Sequence, residues 1–322
     1  MFNAHRAALT EELRLVTKVA YLYYVQRHKQ ADIARQLDIS QASVSRILKR
    51  AEDEGIVRIS VNMPTGVYAQ LENDLCARYG LKAAIVVHCD ATDDEEIFHH
   101  IGSAAAYYVE TTIAAGEVVG LSSWSSTLLA MVNAMHPLPK ATGAQVVQIL
   151  GGVGNPSAEI YAARLTERFA NLVQGQAVYL PAPGVTSSAQ MRDELMVTPF
   201  VRDTVALFDR ITLALVGIGS IEPSKLLASS GNVFAPEELT MLRECGAVGD
   251  IFLRFFDAEG RPVNTPLDDR VISMRLEQLI GVRRSVGIAG GERKVEAIRA
   301  ALRGGWINVL ITDHVTAHSL MA

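Results

Sequence analysis

Between Gln30 and Arg50 the chain reads QADIARQLDISQASVSRILKR, and its spacings fit two short helices joined at a tight turn. Ile33 and Leu37 supply the apolar side of the first helix, and Ala34 is small where two helices must cross closely. Asp38 and Ile39 form the turn, where Asp tolerates a left-handed backbone better than most non-glycine residues. Ser40 stands where the second helix needs an N-cap acceptor. Val44, Ile47, Leu48 and Ala51 then recur at i, i+3, i+4 and i+7, which gives one buried stripe. The opposite side carries Arg46 and Lys49, with Ser43 and Arg50 at its edge; Ser40, Gln41 and Ser45 complete the surface expected to face DNA. A short polar and basic helix pinned on a small core is what reading a major groove requires. The alternative is an ordinary helical hairpin with a solvated face, and the agreement of every spacing favours the helix-turn-helix.

Around this motif the sequence predicts a head of three helices. Leu13 to Arg27 forms the first, with Leu15, Val19, Leu22 and Val25 on one face. Gly55 closes the third as a C-cap, and the alternating residues 56–62 suit a short strand or wing. Met63-Pro64-Thr65-Gly66 breaks the pattern, so the expected domains are 1–62 and 63–322, the latter starting with a helix through Tyr68–Tyr79. Charge divides in the same place. Residues 1–60 hold ten Lys/Arg against seven Asp/Glu, so the net charge of −5 leaves −8 for the remainder. A weakly basic head on an acidic body suits a head that meets phosphates. No apolar run approaches the roughly 20 residues of a membrane span, and no apolar signal core opens the chain, so a cytoplasmic location is expected. Cys76, Cys89 and Cys245 lack metal-ligand spacing and are expected to be reduced thiols.

From Leu81 onwards, strand-like runs alternate with helical patterns. The runs are AAIVVHC, EVVGLS, QVVQILGG, AVYLPAP, ITLALVGIG, VGDIFLRFF, SVGIAGG and INVLITD. Helical patterns between them include 95–115, 127–135, 157–172 and 293–302. Strands rich in Val, Ile and Leu on both faces imply an α/β domain with a mostly parallel sheet covered by helices. Several runs end in Gly, Ser or Asn clusters at 120–127, 150–155, 217–220 and 289–291. In open α/β sheets ligands lie at the carboxyl ends of the strands, so these turns are expected to face one crevice.

Gly120-Leu121-Ser122-Ser123-Trp124-Ser125-Ser126-Thr127 follows a strand and opens a helix. Small residues let backbone N–H groups approach an anion, hydroxyls add donors, and the helix N-terminus adds partial positive charge. A tight βα turn with a serine-rich cap is the alternative. Trp124 within it can stack on a sugar ring or line its pocket. Gly151, Gly152 and Asn155 belong to the next turn of this kind. Lys294, three residues after Gly291, can reach back over its glycine turn to a phosphate; otherwise it is a solvated lysine. Asp250 sits within a long apolar strand segment, where an unpaired carboxylate is costly; it either meets ligand hydroxyls or pairs with a basic group such as Arg254. No Walker or dinucleotide pattern follows any strand, so no cofactor is expected. His88, His99, His100, His136, His314 and His318 show no ligand set, and no metal site is expected.

With these residues together, the chain resembles the SorC/DeoR-type sugar-binding transcriptional regulators of bacteria. The resemblance runs through the helix-turn-helix, QILGG (148–152), GVTSS (184–188), VGIGS (216–220), GDIFLRFFD (249–257), TPLDDRVI (265–272) and AGGERK (289–294), and closes with 301–320. It covers nearly the full length. It implies a Rossmann-type, phosphosugar-isomerase-like effector domain, a phosphorylated sugar as ligand, and a homodimer or homotetramer on a double-stranded operator. Carried over by position, the serine-rich turn 122–127 and Lys294 hold phosphate and Asp250 meets sugar hydroxyls. The family often has a GxGWGxT-like turn where this chain has SSWSST, a variant that resembles regulators of polyol catabolism.

The leading expectation is therefore a DNA-binding regulator whose affinity for its operator responds to a phosphorylated sugar or polyol. The alternative is a phosphosugar isomerase or deaminase fused to a DNA-binding head. Such chemistry needs a positioned acid and base. Asp250 and Glu292 are the available carboxylates, but no compact constellation follows the glycine turns, so no catalytic residue is assigned. A purely architectural DNA binder leaves some 260 residues of sheet with glycine-rich mouths unexplained.

Overall fold

Asp38 takes the left-handed conformation (φ 52°, ψ 45°) and ends α2 (Gln30–Leu37), so that α3 (Gln41–Asp53) can cross it. The computed structural model describes residues 12–57, 66–91 and 93–322; of the strand or wing expected at 56–62, residues 58–62 lie outside them. The chain divides into two units, Met1–Met63 and Pro64–Ala322. In the first, helix α1 covers 12–20 and continues as a π-helical turn, Tyr21–Val25. Val19, Leu22, Ile33, Ala34, Val44 and Leu48 form its core, with Val16, Ala20 and Ala51 beside them. The apolar face of α1 thus differs from the sequence expectation. Leu15 and Val25 are exposed, because the stripe begins at Val16 and the π turn rotates the residues that follow it.

The second unit starts with α4 (Ala69–Tyr79), then β1 (Ala83–Val87), α5 (Asp94–Thr112), β2 (Val118–Leu121), α6 (Ser126–Ala134), β3 (Gln145–Gln148), α7 (Pro156–Leu172) and β4 (Gln176–Val178). Next come α8 (Ala189–Met196), α9 (Pro199–Val205), β5 (Leu213–Val216), β6 (Gly219–Ser220), α10 (Lys225–Ser230) and α11 (Pro236–Glu244). β7 (Ala247–Ile251), β8 (Arg254–Asp257), α12 (Leu276–Ile280), β9 (Arg284–Ile288), α13 (Val295–Arg303), β10 (Val309–Asp313) and α14 (His314–Met321) complete it.

Seven strands form a parallel sheet in the order β1-β10-β9-β5-β2-β3-β4. Alternate strand residues feed two cores, as the two-sided apolar pattern requires. Val119, Leu121, Leu213 and Leu215 pack with Ile101, Val109, Leu128 and Phe169 of α5, α6 and α7. Val118, Ala214, Val216 and Leu310 pack with Leu75, Ile298, Ala301 and Leu320 of α4, α13 and α14 on the other face. After β2 the chain runs outward through β3 and β4 and returns to β5 on the other side of β2. The order in which strands are added therefore reverses between β2 and β5, and a crevice opens at their carboxyl ends.

One strand expected to be continuous is broken. Phe252 and Leu253 both have positive φ (45° and 64°), and Ile251 pairs with Arg254, so VGDIFLRFF folds into the β7–β8 hairpin with a two-residue turn. Left-handed backbone costs a branched or aromatic residue about 1–2 kcal/mol. Burial of both side chains and the bond from Leu253 N–H to the Asp250 carboxylate (2.8 Å) offset that cost. β6 joins this hairpin in a second, antiparallel sheet of three strands.

Candidate functional site

The turn after β5, Gly217-Ile218-Gly219-Ser220, lies at the centre of the crevice because its two glycines admit neighbours that any side chain would displace. A Cβ on Gly217 would stand 2.7 Å from Ser125 Oγ, and one on Gly219 would stand 2.1 Å from Asp250 Oδ1. The Glu292–Lys294 turn, which follows β9, packs on β6. The serine-rich turn, Asp250 and Lys294 are thereby gathered around the end of one strand.

In the serine-rich turn, Ser125 N-caps α6, its hydroxyl accepting from Leu128 N–H at 3.3 Å. Ser122 is buried at the end of β2, where its N–H donates to Leu215 O (3.2 Å). Ser123 is only 1% exposed, and its Oγ finds no hydrogen-bond partner among the described residues. An unpaired buried hydroxyl costs about 1–3 kcal/mol, so this oxygen suits a partner from outside the chain. Ser126 is half-buried and Thr127 buried in the first turn of α6, where helix N–H groups favour an anion.

Lys294 is half-buried, with Nζ 5.1 Å from the centre of the Phe98 ring, and forms no ion pair among the described residues. Burial pushes its pKa down, against the pull of Asp94 and Asp250. Asp250 is buried, and burial raises its carboxyl to about 6; the Leu253 N–H and the charge of Lys294 act in the opposite direction. Arg254 does not pair with it. That guanidinium holds Asp268 at 3.3 Å, together with Ser273 Oγ and the carbonyls of Asp268 and Val271. Of the two expectations for Asp250, pairing with Arg254 is thus excluded.

Other residues expected at the site make contacts within the chain. Trp124 is buried, and its indole N–H donates to Gly151 O (3.0 Å), which ties the serine turn to the turn after β3. Gly120 lies within β2, where a Cβ would meet Ile149 and Ile211 at 2.9 Å. Gly151 and Gly152 make room for Pro183 and for the Gln148 side chain. Asn155 is exposed, its N–H bonded to Ser230 O (2.8 Å). Two positioning features lacked a local sequence signal. Asp313, buried at the end of β10, accepts from Gly291 N–H (2.8 Å) and so shapes the glycine turn before Lys294. Phe98, on α5, underlies the ammonium.

On α3, Ser40 accepts from Ser43 N–H (3.1 Å) as its N-cap. Gln41, Ser45, Arg46 and Lys49 are exposed. Arg46 rests along its own helix, donating to Ser43 Oγ (3.2 Å) and Ala42 O (3.4 Å). Arg50, expected at the edge of the DNA-facing surface, is ion-paired with Glu54 (2.5 Å) and Glu12. The exposed basic face is therefore Arg46 and Lys49.

Residues 65–322 match the family described as "Putative sugar-binding domain", and 15–62 match the MarR family. Over 311 residues the chain is 35% identical to the deoxyribonucleoside regulator of Bacillus subtilis (strain 168), which covers 97% of this chain and 98% of that one. The chain belongs to this family of sugar-binding transcriptional regulators. The family's sorbitol operon regulator of Klebsiella pneumoniae is 31% identical, over 97% of this chain and 99% of its own. The full-length crystal structure of that regulator superposes with a TM-score of 0.73 over 96% of this chain and 99% of that chain. The sugar-binding domain of a DeoR regulator from Pseudomonas syringae pv. tomato is 43% identical, with a TM-score of 0.62 over 80% of this chain and all of that one. These relatives are regulators, not enzymes, which removes the isomerase or deaminase reading. Among the described residues no helix is long and apolar enough to cross a membrane.

Proposed function

We propose that this regulator binds a phosphorylated sugar or polyol in the crevice at the ends of β2, β5 and β9, and that binding changes its affinity for an operator. The observation that carries the reading is Ser123 Oγ, buried at the α6 N-terminus without a partner among the described residues, with Lys294, which forms no ion pair among those residues, on the turn after β9. Ser122, Ser123, Ser125, the first turn of α6 and Lys294 hold the phosphate. Asp250 accepts from sugar hydroxyls, and Trp124 braces the turn from behind. Gln41, Ser45, Arg46 and Lys49 face the DNA. A head of this size reads few base pairs, so a homodimer or homotetramer engages half-sites spaced by helical turns. The protein acts in the cytoplasm, where operator and metabolite meet. The names of the relatives point to two ligand classes, so both deoxysugar phosphates and hexitol phosphates belong in the screen. Ligands that bind only the folded state raise thermal stability. A phosphorylated hit that also shifts operator binding supports the reading; hits confined to unphosphorylated sugars contradict it.

A further inference from the structure

Away from the effector crevice, at the carboxyl ends of β1 and β10, two stretches far apart in sequence bring nitrogen and oxygen donors together. β1 runs into His88-Cys89-Asp90, and α14 carries His314 and His318 one turn apart. The ring nitrogens of His88 and His314 and a carboxylate oxygen of Asp90 all lie within 4.8 Å of one another. Both imidazoles present Nε2 to the same carboxylate, at 3.1 Å for His88 and 3.8 Å for His314. The two rings lie 4.8 Å apart, and His318 stands edge-on to His314 at 6.4 Å.

We propose that His88, Asp90 and His314 form a binding site for a divalent transition metal of the zinc class. Two imidazoles and one carboxylate are a borderline donor set that suits zinc and its neighbours better than magnesium or calcium. Zinc bonds of about 2.0–2.2 Å need the three donors closer than they stand here. Asp90 and His88 are exposed (79% and 47%) and can close in, whereas His314 (16%) is held by its surroundings. Tyr68 supplies the outer shell. Its hydroxyl lies 2.6 Å from His88 Nδ1, so a proton placed on Nδ1 has an acceptor and Nε2 is left to offer its lone pair. His314 binds less readily. Its Nδ1 accepts a long 3.3 Å bond from Cys89 N–H, which must give way when Nε2 takes the metal. A bound ion would pin the segment leading into α5, which carries Asp94 and Phe98 against the Lys294 turn.

The test is calorimetric titration of the tag-free full chain with Zn2+ in a chelator-buffered solution. The wild type should bind one tight equivalent per chain. His88→Gln and His314→Gln should each weaken that equivalent by at least tenfold, and Tyr68→Phe by roughly tenfold. His136→Gln, which alters an exposed histidine beside Glu110, should leave it unchanged. If His314→Gln does not fold, the exposed Asp90→Asn replaces it and should weaken binding in the same way. Absence of a stoichiometric Zn2+ equivalent in the wild type, or binding that survives both the His88 and the His314 or Asp90 substitutions, overturns the proposal.

Discussion

Asp250 and Lys294 influence each other's charge without touching. Burial raises the carboxyl to about 6 and shifts the half-buried ammonium down, and the charge of each group pulls against the other's shift. In the proposed function the carboxylate faces sugar hydroxyls and the ammonium faces phosphate, so the pair sets how the site responds to pH.

Hydroxyl donation from a sugar requires Asp250 to be ionised, so effector affinity should rise as pH climbs through about 6. The phosphate ester also titrates near 6, so the informative quantity is the difference between wild type and Asp250→Asn. Calorimetry from pH 5 to 8 should show a steeper rise in the wild type; parallel curves would mean that Asp250 does not meet the ligand. Stability should move the other way. A carboxyl whose folded pKa is raised from 3.8 to about 6 stabilises the fold fully below 3.8, and that contribution is lost as pH rises through about 6. The loss is on the order of 3 kcal/mol, and chemical denaturation at pH 4 and 7 should show it shrinking in Asp250→Asn.

Gly217→Ala should perturb the site through Ser125. The new Cβ would stand 2.7 Å from the serine hydroxyl that caps α6. Loss of an N-cap costs about 0.5–2 kcal/mol, so the melting temperature should fall and effector affinity should fall with it. An unchanged affinity would place the ligand elsewhere.

On the DNA side, Arg46→Ala and Lys49→Ala should weaken operator binding while leaving the effector response intact. A base-reading arginine is worth about 1–3 kcal/mol and its loss relaxes sequence preference, whereas loss of a phosphate-contacting lysine lowers the salt slope by about one. Arg50→Ala should affect DNA less, because Glu12 and Glu54 already occupy its guanidinium. Wild-type binding by both Arg46→Ala and Lys49→Ala would put the reading face elsewhere.

Local chemistry made much of this legible before the structure. Asp38, Ser40 and the Val44–Ala51 stripe act through neighbours three or four residues away, and two-sided apolar runs identified the parallel strands. Contacts across long separations were not legible. Trp124 looks free in its polar turn because its acceptor, Gly151 O, is 27 residues on. The β7–β8 turn was hidden because Phe252 and Leu253 carry no turn residue; their conformation is imposed by burial and by Asp250. Gly120 and Gly217 are indistinguishable in sequence, yet one makes room for Ile149 and Ile211 and the other for Ser125. His88 and His314 become neighbours only because β1 pairs with β10.

The most direct measurement is calorimetric affinity for the best phosphorylated sugar or polyol and for its unphosphorylated analogue, in wild type, Ser123→Ala and Lys294→Ala. The wild type should prefer the phosphorylated form. Lys294→Ala removes a charge-assisted contact of roughly 1.5–3 kcal/mol, so that preference should fall by about tenfold or more, while operator binding without ligand survives. Ser123→Ala should lower the preference as well, because Ser123 Oγ finds no partner among the described residues. Equal affinity for the two ligands in the wild type would show that the crevice holds no phosphate and would contradict the account.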